Sequence, residues 1–129
     1  MRELASKSGS SAGRIWSVLN EKGCLKKDDL IKSTKLDEND LYNGIGWLAK
    51  ENKIAIKNEY YVLEDSNLES EVGSHAGMIW KILDIWGDVD LESIKKLSNL
   101  NDQQVNSALG WLIREDKIKL NKDNRITLK

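Results

Sequence analysis

The chain has one cysteine, one histidine and neither proline nor phenylalanine among its 129 residues. No internal disulfide can form, and no CxxC or Cys/His cluster is present to hold a structural metal. A lone cysteine fits a reducing compartment. The sole histidine, His75, gives no basis for a Ser/His/Asp or Cys/His catalytic set, and no phosphate-cradling glycine motif occurs. We therefore predict that the protein is not an enzyme and uses no cofactor.

The chain also lacks an excess of charge of either sign and any long apolar run. Its formal net charge is −1, whereas a non-specific nucleic-acid coat is usually basic, so any basic patch must be local. No segment is apolar for long enough to span a bilayer, and the start, MRELASKS, has no signal-peptide apolar region. These features predict a cytoplasmic protein with no membrane partner. The large apolar side chains of its core are mainly Leu, Ile and five Trp.

The chain repeats itself with a shift of 64 residues. Residues 45–56 read IGWLAKENKIAI, and residues 109–120 read LGWLIREDKIKL. Across residues 4–57, 18 of the 54 aligned positions are identical, glycines included. Shared periodicity alone does not place so many identities in one register, so we infer a tandem duplication. We call residues 1–64 copy 1 and residues 65–129 copy 2, and predict that each is a domain joined to the other by a short linker.

Each copy begins with a predicted helix. Apolar residues recur at helical spacing, and Ser10 and Ser74 are the expected N-caps of these first helices. Gly23 and Gly87 stand where the helices are expected to end. A short extended stretch then leads to the second helix of each copy.

The rest of each copy predicts two more helices and a hairpin. Second helices are expected over 27–34 and 91–98. Third helices are expected to begin at the N-caps Asp37 and Asn101, each followed three residues later by a side chain that can close a capping box. Two short strands around a polar turn complete each copy.

This order of elements is that of a winged helix-turn-helix domain. The pattern AGxIWxxL followed by GWLxxExKI resembles a family of small bacterial and archaeal winged-helix domains of unknown function, and the resemblance covers essentially all of both copies. The predicted fold is mainly α with small β-hairpins (α+β), arranged as two tandem winged helix-turn-helix domains. The resemblance implies DNA binding by analogy with the fold.

Each third helix carries a line of polar, glycine and basic residues opposite its apolar side. We call this line the polar stripe. It consists of Gln103, Ser107, Gly110 and Arg114 in copy 2 and of Asn39, Asn43, Gly46 and Lys50 in copy 1. A glycine inside an exposed helix costs roughly 1 kcal/mol relative to alanine, so a close backbone approach by a phosphate strand or by another helix is expected there.

One hypothesis is that the polar stripes bind double-stranded DNA. Asn and Gln can pair with adenine, and Arg and Lys can reach guanine or phosphate. The predicted DNA contacts therefore comprise both polar stripes, Gln104, and the wing residues Lys57, Lys119, Lys122 and Arg125. This hypothesis predicts a small transcriptional regulator or nucleoid-associated factor, with copy 2 as the better DNA reader.

The alternative is a protein-interaction or dimerisation scaffold that does not bind DNA. The near-neutral charge and the acidic residues at the starts of the third helices favour it, and the stripe glycines could seat a helix of the other copy or of a second chain. Trp47, Trp86 and Trp111 are the expected interface residues, since Trp is enriched at interfaces. Trp16 and Trp80 are predicted to lie in the core.

Overall fold

The computed structural model describes the backbone of residues 2–121 and 123–129, and side chains from residue 7 onward within those ranges. Copy 1 contains α1 (Arg2–Lys22), β1 (Leu25–Lys26), α2 (Lys27–Thr34), α3 (Glu38–Lys50), β2 (Ala55–Lys57) and β3 (Tyr60–Val62). Copy 2 contains α4 (Glu69–Trp86), α5 (Leu91–Ser98), α6 (Asp102–Arg114), β4 (Ile118–Leu120) and β5 (Ile126–Leu128). The α+β winged-helix order is confirmed in both copies.

The second helices have the predicted bounds and the third helices have the predicted N-caps, but the described contacts complete the predicted capping box only in copy 2, since the Asp40 side chain pairs with Lys7 instead. The Asp37 side chain accepts a 2.8 Å hydrogen bond from the backbone N–H of Asp40. Asn101 and Gln104 form the complete capping box, with bonds of 2.8 and 3.0 Å. A capped first turn satisfies N–H groups that a helix start otherwise leaves unpaired, so each third helix begins at a defined residue.

The first helices are longer than predicted. Ser10 and Ser74 lie inside α1 and α4 rather than at their N-caps, so that prediction is wrong. The extra turns are held by packing. A Cβ atom on Gly9 would lie 3.3 Å from the ring of Trp47, and one on Gly73 would lie 3.1 Å from the ring of Trp111. Each glycine thus gives room for a tryptophan of the third helix, and this contact outweighs the low helix propensity of glycine.

The wings are small antiparallel sheets. In copy 1 the strand order is β1-β3-β2, and Tyr61 lies between Leu25 and Ile56. In copy 2, β4 pairs with β5, and Val89 forms a single bridge to Ile126. Each wing also contributes buried side chains to the core, Tyr61 in copy 1 and Ile118 and Ile126 in copy 2.

The hydrophobic core is continuous across both copies. It includes Val105, Leu109 and Leu112, which form the apolar side of α6 opposite the polar stripe, and their counterparts in α3. Trp16 and Trp80 are 42% and 38% exposed, so their predicted place in the core is wrong. Each lies on its helix between the buried side and the exposed side. A tryptophan in that position covers apolar surface while part of its ring stays in water.

The segment between the copies is tied to copy 1. The Asn67 side chain accepts from the backbone N–H of Ile56 at 2.9 Å and donates to its carbonyl at 2.6 Å. The N–H of Ser66 donates to the side chain of Asn52 at 2.8 Å. These bonds limit the freedom of the short linker, so copy 2 starts from a fixed position.

Candidate functional site

The third helices of the two copies pack against each other and run in the same direction. Near their starts, the Asn106 side chain donates to the side chain of Asn39 at 3.1 Å. At their ends, Lys50 of copy 1 pairs with Glu115 of copy 2, and in the same way Arg114 of copy 2 pairs with Glu51 of copy 1. Contacts at both ends show that α3 and α6 lie side by side along their lengths.

The stripe glycines form the closest point of this contact. A Cβ atom on Gly46 would lie 2.7 Å from the carbonyl carbon of Ser107 and closer still to its oxygen. A Cβ atom on Gly110 would meet Asn43 in the same way, 2.8 Å from its carbonyl carbon. In each glycine, a hydrogen takes the position that a Cβ atom would occupy and points at a carbonyl oxygen of the other helix. This is a weak contact typical of closely packed helices. The glycines allow backbone-to-backbone approach.

Asparagine side chains close the polar part of the contact. Asn43 donates to the backbone carbonyl of Asn106 at 2.8 Å. Asn106, which is buried, also donates to the carbonyl of Asp102 at 2.9 Å and so is held within its own helix. Because these buried amides are paired, the polar groups in the contact avoid the cost of leaving water unsatisfied.

Each basic stripe residue stacks on a tryptophan of the other copy. The Arg114 guanidinium lies 5.4 Å from the ring centre of Trp47, and its Nε is 3.1 Å from a Glu51 oxygen. Lys50 lies 5.3 Å from the ring centre of Trp111. These ion pairs remain partly exposed to solvent and contribute at most about 1 kcal/mol each. Their value here is geometric, since they fix the rotation of the two helices.

The middle of each polar stripe therefore does not face outward, although Lys50 and Arg114 at the helix ends are exposed. Ser107, Gly46 and Gly110 are buried and Asn43 is half-buried, because the other third helix covers them. Gln103 and Asn39 remain exposed at the helix starts, with Gln104 half-buried in its capping bond. The expected close approach at the glycines is present, and its partner is the other copy of the unit.

Two observations oppose base reading by this helix pair. When two recognition helices read two half-sites of DNA, the half-sites are about 34 Å apart, whereas α3 and α6 are in direct contact. The shared end that carries their starts is also acidic, with Glu38 and Asp40 in one first turn and Asp102 in the other. Such carboxylates stabilise a helix start and repel phosphate.

Two of the four predicted wing cations are engaged within the chain. Lys57 pairs with Glu64. Arg125 lies 3.3 Å from Asp88 and 3.9 Å from Asp90. The Ser93 backbone N–H donates to Asp90 and holds the pKa of that carboxyl below its usual range, so it stays charged.

The two remaining predicted wing cations are Lys119 and Lys122. Lys119 is half-buried on β4, where it stands opposite Thr127. Lys122 lies outside the described residues.

The first and second helices differ sharply between the copies on one shared face. In copy 2 this apolar face consists of Met78, Ile82, Ile85, Trp86 and Leu97. The aligned residues of copy 1 are Arg14, Val18, Glu21, Lys22 and Ser33. The difference can be read from the 64-residue alignment, in which Trp86 stands opposite a lysine.

Copy 1 carries cations on the same side. Arg14 donates to the carbonyl of Thr34 at 3.1 Å, and Lys22 donates to Ser33 at 3.2 Å. Lys32 and Lys35 are exposed near the end of the same second helix. We call Arg14, Lys22, Lys32 and Lys35 the basic face; cations are favourable at this helix end because it carries the negative end of the helix dipole.

Comparison with known families shows which family the chain belongs to. The model of the winged helix-turn-helix domain family DUF2582 matches twice, over residues 3–64 and 65–128. The chain belongs to this family. No curated protein and no solved structure matches the chain. Winged-helix domains commonly bind DNA and are typically binding modules rather than enzymes, so membership makes DNA binding plausible in general.

No helix of the described residues is long and apolar enough to cross a membrane, and no three of their His, Cys, Asp or Glu side chains are grouped to hold a metal. A cavity of about 120 Å³ lies between α4, the start of α6 and the wing of copy 1, where Tyr61 lines it. Burial raises the pKa of that phenol. The cavity is smaller than usual ligand sites.

Proposed function

We propose that this protein is a non-catalytic interaction module, in which the paired third helices form a fixed centre and the outer faces of the first and second helices bind other proteins. The observation that carries the proposal is the close packing of Gly46 on Ser107 and of Gly110 on Asn43. A helix whose stripe is buried in this way cannot enter a major groove without the two copies separating.

The pairing of charges supports the same proposal. Arg114, Lys50 and Arg125, which would be the main phosphate contacts, each face a carboxylate of the chain itself. DNA affinity depends on cations that can replace counterions on phosphates, and paired cations do this poorly. With a net charge of −1, the chain also has no long-range attraction to DNA. The cytoplasmic, nucleoid-associated setting stays a prediction.

DNA binding through the basic face is a second candidate. Arg14, Lys22, Lys32 and Lys35 contact no carboxylate within 4.0 Å among the described residues. Such a face would hold phosphates without reading bases, so binding would be tolerant of sequence. Asp28 and Asp29 at the other end of α2 limit its strength.

Titration of a labelled random-sequence duplex separates these candidates. At about 150 mM salt, the interaction-module proposal predicts binding no tighter than a Kd of about 10⁻⁴ M, the weak end of non-specific affinity. It also predicts that Arg114→Ala leaves the weak binding seen at about 50 mM salt unchanged. Fluorescence anisotropy at both salt concentrations measures this.

Two outcomes would change the assignment. Micromolar binding that Arg114→Ala weakens would restore the third helix of copy 2 as a DNA contact and contradict the proposal. Micromolar binding that survives Arg114→Ala and is lost when Arg14 and Lys22 are both replaced by alanine would establish the second candidate. Thermal melting of each variant, followed by circular dichroism, controls for loss of the fold.

A further inference from the structure

The apolar face of copy 2 is mostly exposed, and of its five residues only Ile82 packs against the core. Ile85 is 76% exposed and Trp86 is 63% exposed, and both lie at the end of α4. Met78 and Leu97 are each 44% exposed. Isolated apolar residues on a surface are ordinary, but a contiguous group that includes a tryptophan marks a site of association.

The five side chains form one surface. Met78, Ile82, Ile85 and Trp86 follow one another at helical spacing along one side of α4. Trp86 and Leu97 of α5 line a single open groove of about 330 Å³, floored by Val89. The surface is thus a ridge of aliphatic side chains beside a groove with a tryptophan at its edge.

Comparison with copy 1 shows that the fold does not require these residues. At the aligned positions copy 1 has Arg14, Glu21, Lys22 and Ser33, and its helices pack in the same order. Only Val18, opposite Ile82, keeps an apolar type. The same scaffold is therefore compatible with a polar face, and the apolar face calls for an explanation outside the folding of copy 2.

We propose that the apolar face is the interface between two copies of this chain, in an isologous dimer. This rests on the proposed function, for which it names the partner. In such a dimer the same face meets itself across a two-fold axis. The ridge of one chain, formed by Met78 and Ile85, fits the groove beside Trp86 of its partner.

Area and charge favour a second copy as the occupant. The apolar face exposes on the order of 500 Å², which is close to the apolar share of the about 800 Å² per partner that a stable dimer buries. Asp88, Lys96 and Arg125 line the same groove as Trp86, so the rim of the face carries charges of both signs. A rim of mixed charge can complement its own copy across a two-fold axis. The net charge of −1 produces little repulsion between chains.

Sedimentation of the full chain over a concentration series tests the dimer. The wild-type chain is expected to be mostly dimeric at about 100 µM and mostly monomeric at about 1 µM. The test variant is Ile85→Glu with Trp86→Lys, which places the copy 1 residues on the same scaffold. Its dimer Kd is expected to rise at least about 30-fold, since buried tryptophans dominate such interfaces. The control variant, Glu21→Ala with Lys22→Ala, changes the aligned positions of copy 1 and should sediment as wild type.

The outcomes distinguish this inference from the proposed function. A wild-type chain that stays monomeric at about 100 µM, or a test variant that dimerises as tightly as wild type, would overturn the dimer. Neither result bears on the duplex titration, which alone decides whether the third helices contact DNA. Circular dichroism shows whether the test variant keeps its helices; should it unfold, Met78→Arg with Leu97→Ser, again the residues of copy 1, replaces it with the same expected rise in Kd.

Discussion

Gly110→Ala is expected to destabilise the chain by about 3 kcal/mol or more, which for a chain of this size lowers Tm by about 10 °C. The added methyl group would overlap the carbonyl of Asn43, which belongs to the backbone of a packed helix and cannot rotate away. Gly46→Ala should have a similar effect because it meets the carbonyl of Ser107. Thermal and urea unfolding, followed by circular dichroism, measure both changes.

Gly77→Ala is the matched control for this prediction. Gly77 also lies inside a helix, but a Cβ atom there meets nothing within 4 Å. Replacement by alanine should therefore stabilise the chain by about 1 kcal/mol, the usual difference in helix propensity. If Gly110→Ala were stabilising by the same amount, the third helices would not be in contact.

The double variant Gly46→Ala with Gly110→Ala adds a second check. Both added methyl groups disrupt the same contact between α3 and α6. Once the first methyl group has separated the helices, the second has little contact left to disrupt. The combined loss is expected to be clearly smaller than the sum of the two single losses. Additive losses would mean that the two glycines act at independent sites.

Trp111→Ala is expected to cost about 3–5 kcal/mol, the second large effect. The Trp111 ring is only 9% exposed and packs on Gly73, while Lys50 of the other copy lies over its face. Its removal would leave a cavity between the first and third helices of copy 2 and would also loosen the contact between copies. Guanidinium unfolding, followed by far-ultraviolet circular dichroism, avoids dependence on tryptophan fluorescence.

Trp16→Ala provides the comparison for Trp111→Ala. Trp16 is 42% exposed, so its loss should cost about 1 kcal/mol and leave the helix contact unchanged. Equal costs for the two variants would show that Trp111 is not part of a packed interface. The sequence alone predicts a different order of the two stability costs, since it places Trp16 in the core.

Local structure was predictable because local chemistry determines it. The second helices have the predicted bounds, and the Asn101–Gln104 capping box forms as expected from residues three positions apart. Gly23 and Gly87 have φ angles of 87° and 81°, which glycine adopts readily at a helix end. The prediction of N-caps at Ser10 and Ser74 was wrong because serine is also tolerated inside a helix, and tertiary packing extends both helices beyond these residues.

The partner of the polar stripe was not predictable from one sequence. The glycines correctly indicated a close backbone approach, but phosphate and a second helix need the same small residue there. Helical periodicity reports which side of α6 is apolar and carries no information on where the other copy lies. The pairing of Asn43 with Asn106, and of Arg114 with Glu51, depends on that placement.

The most direct test of the account is an NMR measurement of proximity between the third helices. Nuclear Overhauser cross-peaks are expected between the Hα protons of Gly110 and Asn43 and between those of Gly46 and Ser107, because each pair of backbones is in contact. Cross-peaks between Gly73 and the Trp111 ring serve as an internal control within copy 2. The Ile85→Glu, Trp86→Lys variant at low concentration ensures that the signals arise within one chain. Strong control peaks without the Gly110–Asn43 and Gly46–Ser107 peaks would contradict the paired third helices and the interaction-module proposal built on them.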